Sequence, residues 1–163
     1  MTLSRRWSLM MIVGLTIAGV GLDQVTKALA VARLQPHQPV SLVGDILELA
    51  LVRNPGAAFG TGTSLTLGFT ILAMIVVVVV CLAIIPRVRS AMWAVIIGMG
   101  MAGVIGNLID RLFQPPAVFR GHVIDFISLK HFAVFNVADI FLTCAAGLAI
   151  IVSWRTKSDP QES

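Results

Sequence analysis

Asn136 and Asp139 are the polar residues of this sequence that are hardest to explain without chemistry. They stand at the front of an apolar run that extends from Ile140 to Val152. A carboxylate inside hydrocarbon costs a few kcal/mol even on the mildest insertion scale. Because residues at i and i+3 share one face of a helix, this amide and this carboxylate can point together into a polar site between helices.

Other polar residues lie at the ends of other apolar segments, and they are Asp23, Asn107, Asp110, Arg111 and Asp125. Asn107 and Asp110 repeat the i, i+3 spacing of an amide and a carboxylate. When two carboxylates meet in a desolvated site, repulsion and burial raise one pKa, so that the pair holds a single proton. Such a pair supplies one acid and one base. It can activate a water for attack on an amide carbonyl and protonate the leaving nitrogen.

The elements that would position these groups are membrane helices. The chain has 163 residues, of which 57% are hydrophobic and 12% charged, and its mean hydropathy is +0.92. This composition lies far from that of soluble proteins and is typical of a membrane protein with one domain over residues 1–163. Four stretches are long enough to cross a bilayer, about 7–31, 65–85, 91–109 and 132–154. The first stretch also has features of a cleaved signal peptide, and that alternative stays open.

The distribution of Lys and Arg favours cytoplasmic N- and C-termini, because the basic residues of the two tails and of the turn at 86–90 are the more densely placed. The two long connections, 32–64 and 110–131, then lie on the outer face. Alternating apolar residues at Leu47, Leu49 and Leu51 predict a short strand in the first connection. We therefore expect an α-helical membrane protein of four transmembrane helices, N-in and C-in, with a small β element on its outer side.

Five short motifs together resemble the bacterial lipoprotein signal peptidases, also called type II or prolipoprotein signal peptidases. They read Asp23-Gln24-x-Thr26-Lys27, Asn54-x-Gly56-x-Ala58-Phe59, Gly103-x-x-Gly106-Asn107-x-x-Asp110-Arg111, Val123-x-Asp125-Phe126 and Phe135-Asn136-x-Ala138-Asp139. Each motif is short, but their order and the four spans agree with the family as well. One departure is Ala102-Gly103, where the family has two glycines.

The resemblance implies an intramembrane aspartic endopeptidase of the inner (cytoplasmic) membrane, with its active site toward the periplasmic face. It implies that the enzyme cuts diacylglyceryl-prolipoproteins immediately before the lipid-modified cysteine and is inhibited by globomycin. Carried over by residue, it implies a catalytic dyad of Asp125 and Asp139. Substrate-binding or dyad-supporting roles fall to Asp23, Asn54, Asn107, Arg111 and Asn136. No cofactor or metal is implied, nucleic acid is not expected as a partner, and we expect a monomer among membrane lipids.

Several alternative interpretations stay open from the residues alone. Asp110 with Arg111, or Asp23 with Lys27, could form simple ion pairs. His122, Asp125 and His131 could hold a metal, and Ser128 with Lys130 could form a peptidase pair. A small proton-linked transporter that uses the intramembrane carboxylates is the main alternative function.

Overall fold

Four long helices form the body of the protein. The computed structural model describes residues 3–44, 46–56, 64–130 and 132–158, and its helices are α1 (Arg5–Arg33), α2 (Ser64–Val79), α3 (Ala91–Phe113) and α4 (Val137–Ser158). After α2 the chain continues as a π turn, Val80–Ile84, and a 3₁₀ turn, Ile85–Arg87. All four helical segments are long and apolar enough to span a membrane, which confirms the predicted fold class.

A four-stranded antiparallel sheet is built from the two long connections. Its strands are β1 (Val40–Val43), β2 (Leu47–Asn54), β3 (Val123–Leu129) and β4 (Ala133–Phe135), in the order β1-β2-β3-β4. The predicted strand in the first connection is confirmed, and it continues as far as Asn54. In the register of β2 and β3, Val52 lies opposite Asp125 and Asn54 opposite Val123. The sheet thereby brings Asn54 to the same end of β3 as Asp125.

The predicted start of the fourth helix is wrong. The helix begins at Val137 rather than near Phe132, because Ala133–Phe135 pair with β3 as a strand. Apolarity alone did not distinguish the two, since a short buried strand and the first turn of a membrane helix have the same composition. The consequence is that Asn136 is the last residue before the helix, where its side chain can cap the helix end.

Helix α3 lies at the centre of the bundle and contacts the other three helices. Small residues recur every fourth position on it, at Gly98, Ala102 and Gly106. A Cβ added at Gly98 would lie 2.9 Å from the Leu15 side chain, and one added at Gly19 would lie 2.6 Å from Cβ of Ala102. A Cβ at Gly106 would lie 2.6 Å from Oδ2 of Asp23. Helices α1 and α4 therefore approach α3 closely, which brings their polar residues together.

Some predicted features lie outside the described residues. These are Ala58 and Phe59 of the second motif, His131, and the last five positions of the polar tail, 159–163.

Candidate active site

Asp125 is held in the middle of β3 by two asparagines from different elements. It is 2% exposed, between strand neighbours that are also buried. Asn54, the last residue of β2, donates from Nδ2 to its Oδ2 over 2.9 Å. Asn136, just before α4, donates from Nδ2 to its Oδ1 over 2.6 Å. Both carboxylate oxygens therefore have a fixed amide donor, which sets the orientation of the carboxyl plane.

Asp139 lies in the first turn of α4 and forms a reciprocal cap with Asn136. The backbone N–H of Asn136 donates to Oδ2 of Asp139 over 3.2 Å, and the N–H of Asp139 donates to Oδ1 of Asn136 over 3.1 Å. This is the pattern of a capping box, with amide and carboxylate in the usual N-cap and N3 positions. The other oxygen of Asp139, Oδ1, accepts from Nδ2 of Asn107 over 2.8 Å.

The two aspartates are joined by a bridge of two asparagines. Asn136 uses its second amide proton on Oδ1 of Asn107, over 3.1 Å. The chain of bonds therefore runs from Asp125 through Asn136 and Asn107 to Asp139. The structure brings together the two residues that sequence reasoning placed in a dyad, although one comes from a strand and the other from a helix.

The environment of Asp125 favours its protonated form. Its pKa is raised to about 6 overall, because burial and the charge of Asp139 raise it more than the hydrogen bonds from Asn54 and Asn136 and the charge of Lys27 lower it. Burial is the largest of these effects. The effect of Asp139 is evidence that the two carboxyl groups interact electrostatically, as expected for a pair that shares a proton.

Arg111 lies at the edge of this cluster, near the end of α3. Its guanidinium carbon is 5.7 Å from the ring centroid of Phe69, on α2. Its Nη1 is buried and has no hydrogen-bond partner among the described residues. A Cβ added to Gly56, whose φ is +91°, would lie 3.3 Å from that nitrogen. A buried N–H without a partner is unusual, and here it is a donor available to a bound group.

Asp23 was expected to support the dyad, and the structure places it between α1 and the first turn of α4, which carries Asp139. Its Oδ1 accepts from the backbone N–H of Ala138 over 2.9 Å, and this N–H is one of the free donors of the first turn of α4. Its Oδ2 lies 2.9 Å from Nζ of Lys27. The predicted ion pair within α1 is therefore present, and the same carboxylate also fixes α4 to α1.

Lys27 was missing from the predicted site. It is only 1% exposed, and its Nζ lies 2.8 Å from Oδ2 of Asp110 and 3.0 Å from Oδ1 of Asn107. The alternative of a simple ion pair between Asp110 and Arg111 is not what the structure shows, because Asp110 pairs with Lys27 and accepts the N–H of Ile124 from β3. The sequence signal was present as a lysine four residues after an aspartate inside a membrane span. From the sequence alone, this spacing indicates only an ion pair between Asp23 and Lys27 within one helix.

Thr66 and Thr70, two other buried polar residues, were also missed. They lie one turn apart on α2, and their hydroxyls donate to the backbone carbonyls of Pro55, over 2.5 Å, and of Phe119, over 2.9 Å. These bonds attach both outer connections to the end of α2. The connection that carries Asn54 is one of them, so α2 helps to position that amide without touching the aspartates itself.

The alternative sites find little support in the geometry of the described residues. No group of three His, Cys, Asp or Glu side chains among them could hold a metal ion, while His131 lies outside them. Ser128 pairs with Val134 of β4 and lies toward the far end of β3 from the asparagine bridge. Cys81 and Cys144 are both free and exposed on their helical segments.

Comparisons with known proteins agree over most of the chain. A family model described as signal peptidase (SPase) II matches residues 15–155. The lipoprotein signal peptidase of Streptomyces coelicolor is 46% identical over 134 residues, which cover 82% of this chain and 65% of that protein. That of Rhodococcus jostii is 45% identical over 152 residues, covering 93% and 75%. The chain thus spans slightly less than two thirds of the Streptomyces coelicolor relative.

Solved structures show the same architecture. A structure described as a bacterial membrane enzyme superposes with a TM-score of 0.80 at 27% identity, covering 99% of this chain and 96% of that one. A second structure with the same description gives a TM-score of 0.75 at 28% identity, covering 93% and 94%.

Proposed function

Because the chain belongs to the signal peptidase II family, we propose that it is an aspartic endopeptidase that removes the signal peptide of diacylglyceryl-prolipoproteins. In this proposal the enzyme cuts immediately before the lipid-modified cysteine, without a cofactor. The observation that carries it is the pair of carboxyl groups, Asp125 and Asp139, joined through Asn136 and Asn107.

The roles within the dyad follow from the surroundings of each aspartate. The pKa of Asp125 is raised to about 6, with burial as the largest cause, so we assign the shared proton to Asp125 and the role of base to Asp139. Asp139 takes a proton from a water, whose oxygen attacks the carbonyl carbon of the scissile amide. Asp125 then gives its proton to the amide nitrogen as the carbon–nitrogen bond breaks. Asp139 ends protonated and Asp125 ionised, and one proton exchange restores the starting state.

Arg111 is the group best placed to hold the substrate. Its buried Nη1 has no hydrogen-bond partner among the described residues, and a positively charged donor in a dry site stabilises the oxygen of a carbonyl under attack. Gly56 leaves room beside it, because any Cβ at this position would crowd Phe69 and the guanidinium. A substrate backbone oxygen is therefore proposed as the partner that the free enzyme lacks.

The site lies where the outer connections meet the ends of the spans, which fits a lipid-modified substrate. The diacylglyceryl chains can remain among the membrane lipids while the peptide bond beside the cysteine reaches the dyad. We place this end of the bundle at the outer, periplasmic face of the cytoplasmic membrane, with both termini inside, and we expect globomycin to block it. The alternative, a proton-linked transporter, needs ionisable groups at several depths, and none of the described residues supplies them near the middle of the spans.

The experiment that tests the function uses the purified protein in liposomes and a diacylglyceryl-prolipoprotein substrate whose cleavage is followed by gel shift and mass spectrometry. Asp125→Asn and Asp139→Asn should each abolish cleavage. Glu48→Gln is the matched control, because it makes the same change in the same sheet, opposite Ser128 and away from the bridge. Cleavage by either aspartate variant, or proton flux in place of cleavage by the unmodified protein, would refute the proposal.

A further inference from the structure

Lys27 occupies a position that the proposed reaction does not explain. Its side chain is buried, and all three ammonium protons have a partner: Asp23 at 2.9 Å, Asp110 at 2.8 Å and Asn107 at 3.0 Å. A lysine with three donors and three acceptors has no proton free for a substrate. It therefore acts through a neighbour if it acts in the reaction at all.

Asn107 is the neighbour that connects Lys27 to the dyad. An amide side chain has one accepting and one donating end, and its orientation is set by the groups around it. Lys27 and Asn136 both donate to Oδ1 of Asn107, so this end cannot face Asp139. The donating end, Nδ2, is left to bind Oδ1 of Asp139 over 2.8 Å. Because lysine is never an acceptor, a flipped amide would place an N–H against an ammonium.

We propose that Lys27 is a positioning residue that locks the amide of Asn107 with its N–H toward Asp139, and so keeps the proposed base oriented for reaction. This inference rests on the proposed function, since it concerns the same dyad. It adds a link from α1, through α3, to the first turn of α4, which the family resemblance did not assign.

Lys27 also contributes charge. The charged groups that interact with it are Asp23 on its own helix, Asp110 on α3 and Asp125 on β3, and Asp125 interacts in turn with Arg111 on α3 and Asp139 on α4. Its positive charge lowers the pKa of Asp125, against the larger effect of burial. Loss of the charge therefore raises that pKa. A general loosening of the site would instead admit water, reduce the cost of burial and lower it. The direction of the change distinguishes loss of the charge in an otherwise intact site from a general loosening of the site, and the double variant with Asn107→Ala tests positioning through Asn107.

The test is a comparison of Lys27→Met with Asn107→Ala and with the double variant. The Met side chain keeps most of the length of the lysine and removes its donors and charge. We expect kcat to fall about 100-fold, as is common when a reacting group is misplaced by an ångström. The descending limb of kcat/KM against pH should move to higher pH. If Lys27 acts through Asn107, Lys27→Met should cost little or nothing further in the Asn107→Ala background.

Val25→Met is the control for the new side chain, because Val25 is 58% exposed on the same helix. Lys27→Met leaves the buried carboxylates of Asp23 and Asp110 without their cation. The substitution is therefore also made in an Asp110→Asn background, and this double variant is compared with Asp110→Asn alone. Two outcomes would overturn the proposal. In the first, the kcat losses of Lys27→Met and Asn107→Ala multiply in the double variant; in the second, the descending limb of kcat/KM moves to lower pH in Lys27→Met. Absence of cleavage by the unmodified protein would refute the proposed function instead, so the two failures are distinct.

Discussion

At the scale of the residue, the chemistry depends on how differently the two carboxyl groups are surrounded. Asp125 lies in a strand with an amide on each oxygen, whereas Asp139 lies at a helix end with a backbone N–H on one oxygen and an amide on the other. Two carboxyl groups in different surroundings divide the roles of acid and base, as required for hydrolysis without a covalent intermediate.

The pH dependence of activity should report the proton on Asp125. In the free enzyme its pKa is about 6, so kcat/KM is expected to fall as the pH rises through that value. Asn54→Ala removes a hydrogen bond that lowers this pKa, so the fall of kcat/KM should occur at a higher pH in this variant. The measurement is kcat/KM for lipidated substrate between about pH 5 and pH 8, with Glu48→Gln as the control. A profile that is flat over this range would contradict the assignment of the proton.

The stability of the protein should also depend on the proton of Asp125. Because folding raises the pKa of Asp125 from 3.8 to about 6, this group adds stability below its unfolded pKa, and the contribution is lost as the pH rises through the folded value. Thermal unfolding in detergent should therefore show a decline in Tm between about pH 4 and pH 7 that is smaller in Asp125→Asn. Equal slopes for the two proteins would mean that burial does not penalise the ionised carboxylate.

At the scale of the element, the site depends on how closely α3 approaches its neighbours. Glycine at 103 is required because a Cβ there would lie 2.5 Å from the carbonyl oxygen of Ala138 and from Cγ of Leu142, both on α4. The carbonyl belongs to the first turn of α4, which carries Asp139. Any displacement of this turn changes the distance between Asp139 and Asn107 directly.

Two alanine substitutions on α3 should therefore have opposite effects. Gly103→Ala should destabilise the protein by about 1–3 kcal/mol through overpacking against α4, and should reduce cleavage. Gly100→Ala is the matched control, since its Cβ would find only Cβ of Ala145, at 3.8 Å, and alanine is the better helix former. Tm and cleavage rate are the two measurements. A neutral Gly103→Ala would show that α4 can move away without cost.

The two threonines of α2 offer a second test at this scale. Thr66→Val removes the hydroxyl that holds the carbonyl of Pro55, next to Asn54, while keeping the volume of the side chain nearly unchanged. We expect a lower kcat with a small change in Tm, because the bond orders a connection and does not fill a core. Thr143→Val is the control, since that hydroxyl bonds only the carbonyl of Asp139 within its own helix. Equal kcat values for both variants would remove α2 from the positioning of Asn54.

At the scale of the whole molecule, the polar residues gather at one end of an apolar bundle. The sheet supplies Asp125 and Asn54, α3 supplies Asn107 and Arg111, and the start of α4 supplies Asn136 and Asp139. Four membrane spans from a single chain form this bundle, and in the proposed function a lipid-modified substrate approaches the polar end along the membrane.

The proposed orientation predicts opposite accessibility for the two ends of the bundle. With Cys81 and Cys144 replaced by alanine, Ser41→Cys on the exposed strand β1 should react in intact cells with a thiol reagent that cannot cross the cytoplasmic membrane. Ser90→Cys, in the turn before α3, should react only after the membrane is opened. The reverse pattern would place the dyad on the cytoplasmic side and contradict the proposed access of lipoprotein substrates.

The sequence alone determined the class of protein and the four spans, because both follow from long apolar stretches, and the places where polar side chains interrupt those stretches predicted the candidate site. It could not determine the start of α4, since the strand Ala133–Phe135 is as apolar as the helix after it and is fixed only by pairing with β3. The partners of Lys27 and Asp110 were likewise decided by the tertiary structure. A buried charge binds whichever opposite charge the packing of helices brings near, and that neighbour lies more than 80 residues away in the chain.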